Sequence, residues 1–159
     1  MPSHREKRHL PYTKEQVYGV VAEVEKYPEF LPWCGACRVR RRQGEAVAFY
    51  ADMVVSFKVY RERFTSKVTP DPYDRIKVEY IDGPFRYLVN TWQFSEADDG
   101  GCVIDFFVDF EFRSRILQKL IGLLFNEAVQ RMVRAFEGRA RDLYGPDGRG
   151  KPAVGAAVA

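Results

Sequence analysis

Hydrophobic residues recur along the chain at two periods, and the change between them separates helical from extended segments. Valines at helical spacing follow Thr13, and this pattern predicts an amphipathic helix that Thr13 and Gln16 cap reciprocally. We expect the helix to end near Lys26, because Pro28 disfavours the α conformation of the residue before it. Before the helix, the pattern favours only a short strand around residues 8–10.

A hydrophobic period of two over the middle of the chain predicts a series of β-strands. The alternation places them near residues 39–43, 47–57, 59–68, 76–80, 88–94 and 104–112. The sequence Asp-Asp-Gly-Gly at residues 98–101 is a strong signal for a hairpin before the last strand. In that strand one face is apolar, whereas acidic residues occupy most of the other face. One buried face and one wet face are typical of an antiparallel sheet.

A long amphipathic helix is predicted after the last strand. Ser114 is a suitable N-cap, and the helix should continue to about Leu143, where a Gly-Pro pair follows. Its apolar stripe consists of Leu117, Ile121, Leu124, Ala128, Met132, Ala135 and Phe136. Because the apolar face of the sheet needs a cover, we predict an α+β domain over residues 1–145, in which this helix packs on the sheet. Residues 146–159 have no periodicity and are predicted to be a disordered tail.

Composition and charge exclude several classes of protein. The 159 residues are 46% hydrophobic and 30% charged, which is typical of one globular domain. A net charge of +3 argues against a dedicated nucleic-acid-binding protein, and no DNA partner is expected. The two histidines provide little means for acid–base catalysis. No apolar run is long enough to span a membrane, and the first residues do not resemble a secretory signal. With three cysteines and no export signal, we expect a cytoplasmic protein with free thiols.

Three segments carry a more specific pattern. Residues 24–34 read Val-Glu-Lys-Tyr-Pro-Glu-Phe-Leu-Pro-Trp-Cys, residues 83–94 contain Gly-Pro-Phe followed by spaced Leu, Trp and Phe, and residues 106–112 are rich in alternating phenylalanine. These segments resemble the coenzyme Q-binding, START-like proteins. That group belongs to the polyketide cyclase/dehydrase and lipid transport superfamily, which also includes the bacterial ribosome-association toxins. The resemblance extends over residues 5–143.

This resemblance implies the helix-grip fold, in which a curved, seven-stranded antiparallel sheet surrounds a long C-terminal helix. It implies an apolar cavity between sheet and helix, and a protein that binds the polyprenyl quinone ubiquinone in support of respiratory electron transport, without chemistry. No catalytic cofactor and no metal are expected. Because the toxins share the same motifs, a ribosome-binding regulator of subunit association is the alternative function. A polyketide cyclase-like enzyme is a third interpretation, but the acids of the last strand alternate outward, away from the cavity.

The candidate cavity-lining residues come from the aromatic segment, the strands and the long helix. They are Tyr27, Phe30, Leu31, Trp33, Leu88, Asn90, Trp92, Phe106, Val108, Leu120, Leu124, Ala128 and Met132. Aromatic residues form 14% of the chain, and their flat apolar faces suit a quinone ring. Asn90 is the polar member of this set, and burial of its amide without a partner would cost a few kcal/mol. We therefore expect Asn90 to bind either the protein or the ligand, and we favour a protein partner.

Two other clusters permit more than one interpretation. Cys34 and Cys37 have the spacing of a redox motif, but the residues after them favour a strand, whereas a redox motif begins a helix. A zinc site would need a second pair of ligands at a suitable spacing. A basic cluster comprises Arg38, Arg40, Arg41, Arg42, Lys58, Arg61, Arg63 and Lys67. This cluster is either a solvated face of the sheet or a surface for RNA or anionic lipid.

The first turns of the long helix carry apolar residues on two sides. At about 100° per residue, Ile116 and Leu123 project away from the apolar stripe, beside Lys119. We predict that these three residues contact a membrane, so that the protein is peripheral at the inner membrane and its cavity opens towards the lipid. A dimer interface, or simple exposure of single apolar residues, is the alternative.

Overall fold

The strands form one curved sheet that wraps around the long helix. The computed structural model describes residues 3–41, 44, 47–57 and 60–145. The strands are β1 (Ser3–Leu10), β2 (Cys34–Arg40), β3 (Phe49–Phe57), β4 (Tyr60–Asp71), β5 (Arg75–Asp82), β6 (Phe85–Glu96) and β7 (Cys102–Phe112). Helix α1 (Lys14–Ala22) and a 3₁₀ helix (Val24–Glu29) connect β1 to β2, and helix α2 (Arg115–Tyr144) follows β7.

The sheet is antiparallel throughout, with the strand order β1-β7-β6-β5-β4-β3-β2. Each strand from β2 to β7 therefore pairs with its neighbour in sequence, and β1 joins the free edge of β7. The two α-helices lie on the concave face of the sheet, whereas the convex face meets solvent. These features confirm the predicted α+β, helix-grip architecture with seven strands. The predicted tail, residues 146–159, lies outside the described residues.

β1 is longer than the strand predicted at residues 8–10, and it pairs with β7 along its whole length. Its concave-facing residues are mostly polar, so hydrophobic alternation does not reveal it. Arg8 forms an ion pair with Glu137 of α2. Glu6 accepts a hydrogen bond from the side chain of Gln130, also on α2, over 3.4 Å. Polar contacts between β1 and α2 therefore stabilise this edge of the sheet.

α1 ends earlier than predicted, at Ala22 rather than near Lys26. The chain tightens there into a 3₁₀ helix that contains Pro28. The buried hydroxyl of Tyr27 donates a hydrogen bond to the carbonyl oxygen of Val21, a group that would accept from the backbone in a continuing α-helix. A side-chain bond thus replaces a helical one, and the helix can stop before the proline.

β2 also begins earlier than predicted, at Cys34 rather than at residue 39. A register shift against β3 lies between Cys34 and Ala36. Such a bulge disturbs the alternation of inward and outward side chains, and this accounts for the missing period-two signal at the start of the strand.

The two halves of α2 pack differently against the rest of the protein. The C-terminal half contains the buried residues Phe136, Ala140 and Tyr144, and Val129 is buried at the middle of the helix. The ring of Phe136 lies 5.4 Å from that of Tyr27 in the 3₁₀ helix and 5.1 Å from that of Trp92 in β6, measured between centroids. In the N-terminal half, Leu117 is buried but its apolar neighbours are only partly covered. This half therefore stands away from the sheet and leaves space beneath it.

Candidate functional site

An apolar cavity of about 670 Å³ lies between the concave face of the sheet and α2. Its volume is within the range of small-molecule sites, about 300–1,000 Å³. Side chains alternate along a strand, so the strands from β3 to β7 contribute their inward-facing residues to the wall. α2 contributes one stripe, and residues of α1 and the 3₁₀ helix close the end near Phe136.

The structure places most of the predicted lining residues around this cavity. They are Tyr27, Leu31, Trp33, Leu88, Asn90, Trp92, Phe106, Val108, Leu120, Leu124, Ala128 and Met132. Phe30, in contrast to the prediction, lies outside the cavity wall. Its ring packs edge-on against Tyr27 at 5.7 Å and Phe136 at 5.3 Å, and the Arg139 guanidinium lies over it. The 3₁₀ helix thus directs Tyr27 inward and Phe30 towards the C-terminal half of α2.

The residues that line one side of the cavity were not predicted from the sequence. They are Ala51 and Met53 of β3, Phe64 and Val68 of β4, and Ile76 of β5. These strands lie outside the three segments on which the family resemblance rests. The alternation of apolar and polar residues in these strands could nevertheless have identified them, because a list of the inward-facing positions of all predicted strands would have contained these five residues.

Asn90 has protein partners on both sides of its amide, in agreement with the expectation from its position. Its nitrogen donates a hydrogen bond to the Phe107 carbonyl oxygen at 2.9 Å, and its oxygen accepts one from the Trp92 indole at 3.0 Å. These bonds use one of the two amide protons and one of the two acceptor positions of the oxygen. Asn90 therefore orients the Trp92 ring in the cavity wall and retains capacity to bind a ligand.

Charged side chains contribute to the cavity at its rim. Arg131 and Glu127 of α2 form an ion pair with a nitrogen–oxygen distance of 2.8 Å, and both side chains are more than half exposed. Glu62, at the start of β4, is also exposed. The polar groups of the inner wall are neutral, namely the amide of Asn90 and the hydroxyls of Ser56 and Ser66. The interior therefore suits an uncharged, largely apolar molecule.

A sequence model of the family described as polyketide cyclase/dehydrase and lipid transport matches residues 10–137. The chain belongs to this family. The solution structure of the 18 kDa protein CC1736 from Caulobacter crescentus superimposes with a TM-score of 0.75 at 32% sequence identity. The match covers 91% of this chain and 99% of the Caulobacter chain.

Two relatives of the polyketide cyclase/dehydrase and lipid transport family differ in the function that their names state. The ribosome association toxin RatA of Rickettsia prowazekii is 35% identical over 147 residues, which are 90% of this chain and 99% of the toxin. The mitochondrial coenzyme Q-binding protein COQ10 homolog B of Xenopus laevis is 34% identical over 146 residues. That match covers 89% of this chain and 59% of the Xenopus protein. Similarity alone therefore does not separate the two functions.

The cysteines of this family member have the properties of structural thiols. Cys34 and Cys37 lie in β2, whereas a redox thiolate is usually stabilised by a helix N-terminus. Burial raises the pKa of Cys34 to about 11 and that of Cys37 to about 12. Within the described part of the chain, no three His, Cys, Asp or Glu residues are grouped in a way that could hold a metal ion.

We expect Cys34 and Cys37 to react slowly with iodoacetamide in the folded protein at pH 8. Their raised pKa values reduce the thiolate fraction by about 100-fold and about 1,000-fold relative to an ordinary cysteine. Mass spectrometry over time, with and without urea, measures this protection. Fast alkylation of Cys37 in the folded protein would contradict it and would favour the redox interpretation.

The basic cluster lies mainly on the convex face of the sheet, opposite the cavity. Its members there are Arg38, Arg40, Arg61, Arg63 and Lys67. Arg40 donates a hydrogen bond to Asp52 at 2.9 Å, and the bonds from Arg40 and Thr65 lower the pKa of this carboxyl group. Arg42 and Lys58 of the predicted cluster lie outside the described residues. The convex face of this family member is therefore positive over β2 and β4, and this positive area is separate from the cavity.

Proposed function

We propose that this protein is a non-catalytic carrier, or chaperone, for a polyprenyl quinone of the ubiquinone type. The cavity of about 670 Å³ carries the proposal, because its walls are almost entirely apolar. A polyprenyl tail gains roughly 25 cal/mol for each Å² that such walls remove from water. The family description includes lipid transport, and a relative that is 34% identical is named a coenzyme Q-binding protein, which supports the same class of ligand.

The region around Asn90 suits the quinone ring. A quinone offers hydrogen-bond acceptors, and the bond to the Phe107 carbonyl uses only one amide proton of Asn90. The rings of Trp92 and Phe106, with centroids 4.6 Å apart, form an apolar wall beside this donor. We therefore propose that the quinone head binds at Asn90, and that the tail extends along α2 past Leu124.

The polar groups of the cavity support binding without catalysis. The family description also includes polyketide cyclases, but cyclisation requires an acid or base in contact with the substrate. The charged groups Glu62, Glu127 and Arg131 are at the rim, in contact with solvent. We therefore propose that the protein holds and releases its quinone in support of respiratory electron transport, with no catalytic cofactor.

A ribosome-associated regulator is the second candidate, and the convex face of the sheet favours it. Arg38, Arg61 and Arg63 present positive charge on the side away from the cavity, where they could contact the phosphates of ribosomal RNA. A relative that is 35% identical is named a ribosome association toxin. Because this function would use the opposite side of the sheet, substitutions on each face can separate the two candidates.

The test is to purify the full-length protein from a quinone-producing bacterium and to identify the bound lipids by solvent extraction and mass spectrometry. We expect a polyprenyl quinone in the extract. We also expect the lipid-free protein to take up a short-chain ubiquinone, with quenching of the fluorescence of Trp33 and Trp92, which line the cavity. Arg38→Gln with Arg63→Gln is the matched control, and its uptake should equal that of the wild type.

Absence of quinone in the extract, together with absence of uptake, would contradict the carrier function. Co-sedimentation with ribosomal subunits that is lost in the Arg38 and Arg63 variant would then make the ribosome-associated regulator the leading function.

A further inference from the structure

The outward side of the N-terminal half of α2 is more apolar than a solvated surface requires. Ile116 is 70% exposed and Leu123 is 78% exposed, the largest values for large hydrophobic residues in the described part of the chain. The two residues are about two helical turns apart and share one side of the helix, with Lys119 between them. They form a stripe on the flank of the one that faces the cavity, about 110° away around the helix axis.

The same end of the molecule is positively charged. Residues 113–126 contain no acid, and the exposed cations Arg115 and Lys119 lie in the first turns of α2. The helix macrodipole favours acids at this position, so these cations are unfavourable for the helix itself. Exposed Arg86 in β6 adds to the charge. The acids Glu62 of β4, Asp82 of β5 and Glu111 of β7 offset part of it. An external anionic surface would stabilise this arrangement.

This apolar and basic surface lies beside the cavity-lining stripe of α2. In the turns of α2 next to Ile116 and Leu123, the cavity-lining residues Leu120, Ile121 and Leu124 are partly exposed, which indicates an opening of the cavity there. Arg113 connects the start of α2 to the turn between β5 and β6. Its backbone amide donates to the Pro84 carbonyl at 2.8 Å, and its guanidinium donates to the Phe85 carbonyl at 3.0 Å. These two bonds hold the start of α2 against the sheet beside this opening.

We propose that Ile116, Leu123 and the cations around them dock the opening of the cavity onto an anionic lipid bilayer. This inference rests on the proposed carrier function, because docking gives a polyprenyl quinone a route between membrane and cavity. A tail that crossed water would expose its whole apolar surface, whereas a tail that passes through the docked opening stays covered. The positive charge of this surface favours binding to anionic lipids over neutral ones.

Among the described residues, no helix has the length and hydropathy of a membrane span.

Vesicle flotation with the full-length protein tests the docking. Vesicles of phosphatidylcholine mixed with phosphatidylglycerol are compared with vesicles of phosphatidylcholine alone, at low and at physiological salt. We expect the wild type to float with the anionic vesicles, and to float less at the higher salt concentration. The double substitution Ile116→Ser with Leu123→Ser should lower the partition coefficient by about tenfold or more, since two aliphatic side chains no longer enter the lipid.

The matched control replaces two exposed apolar residues outside α2, Val47 at 54% exposure and Val89 at 45%, with serine, and it should float like the wild type. Flotation of the Ile116 and Leu123 variant at the wild-type level would overturn the docking, and so would an equal loss in the control. Uptake of short-chain ubiquinone without vesicles separates the two proposals, because the Ile116 and Leu123 variant should retain it. A wild type that takes up no quinone, yet floats through Ile116 and Leu123, would refute the carrier function and support the docking.

Discussion

We expect the substitution Phe136→Ala to lower the free energy of unfolding by about 3–5 kcal/mol. The buried ring of Phe136 lies 5.4 Å from that of Tyr27, 5.3 Å from that of Phe30 and 5.1 Å from that of Trp92. It therefore joins α2 to the 3₁₀ helix and to the sheet. Its removal leaves a void that closely packed aromatic neighbours cannot fill. Urea unfolding, followed by tryptophan fluorescence, measures the loss.

Leu123→Ala on the same helix is the matched control for this experiment. Its side chain is exposed, so we expect the free energy of unfolding to change by less than about 0.5 kcal/mol. A loss of less than about 1 kcal/mol in Phe136→Ala would show that this residue does not anchor α2.

The second large effect is expected for quinone binding in Ala128→Trp. Ala128 lines the cavity from α2, and an indole at this position would occupy the space that we propose for the polyprenyl tail. Quinone affinity should fall by about tenfold or more, because the tail and the indole cannot share the same volume. The free energy of unfolding should change by less than about 1 kcal/mol, since the indole enters space that already exists. Titration with a short-chain ubiquinone measures the affinity.

Asn126→Trp is the control for this substitution, because Asn126 is exposed on the same helix and does not line the cavity. It should bind quinone like the wild type. Normal quinone affinity in Ala128→Trp would exclude this part of the cavity as the site of the tail.

Elements that depend on nearby residues were predictable from the sequence. The capping box of α1 was predicted from Thr13 and Gln16, and its two hydrogen bonds measure 3.1 and 2.9 Å. Ser114 accepts a hydrogen bond from the Leu117 amide at 3.2 Å, and the helix it caps ends at Tyr144, beside the predicted end. The faces of β7 follow the alternation of its side chains. In each case the stabilising interaction joins residues only a few positions apart, so a local sequence pattern can predict it.

Features that depend on distant residues were not predictable in the same way. β1 has a polar concave face because Arg8 and Glu6 bind residues of α2, more than a hundred positions away in sequence. Phe30 lies outside the cavity wall because Phe136 and Arg139 of α2 provide a packing site for its ring. Hydrophobic alternation contains no information about such partners.

The cavity is the clearest case of a feature that the tertiary structure decided. The sequence determined that aromatic residues would face α2, but the same residues could have filled the space completely. In the structure they pack beside one another along the wall, as Phe85 does with Phe112 at 4.7 Å and with Phe64 at 5.6 Å. The C-terminal half of α2 is anchored by Phe136, while the N-terminal half is held at the rim by Arg113. An enclosed volume depends on the distances between these elements, which no local pattern of residues specifies.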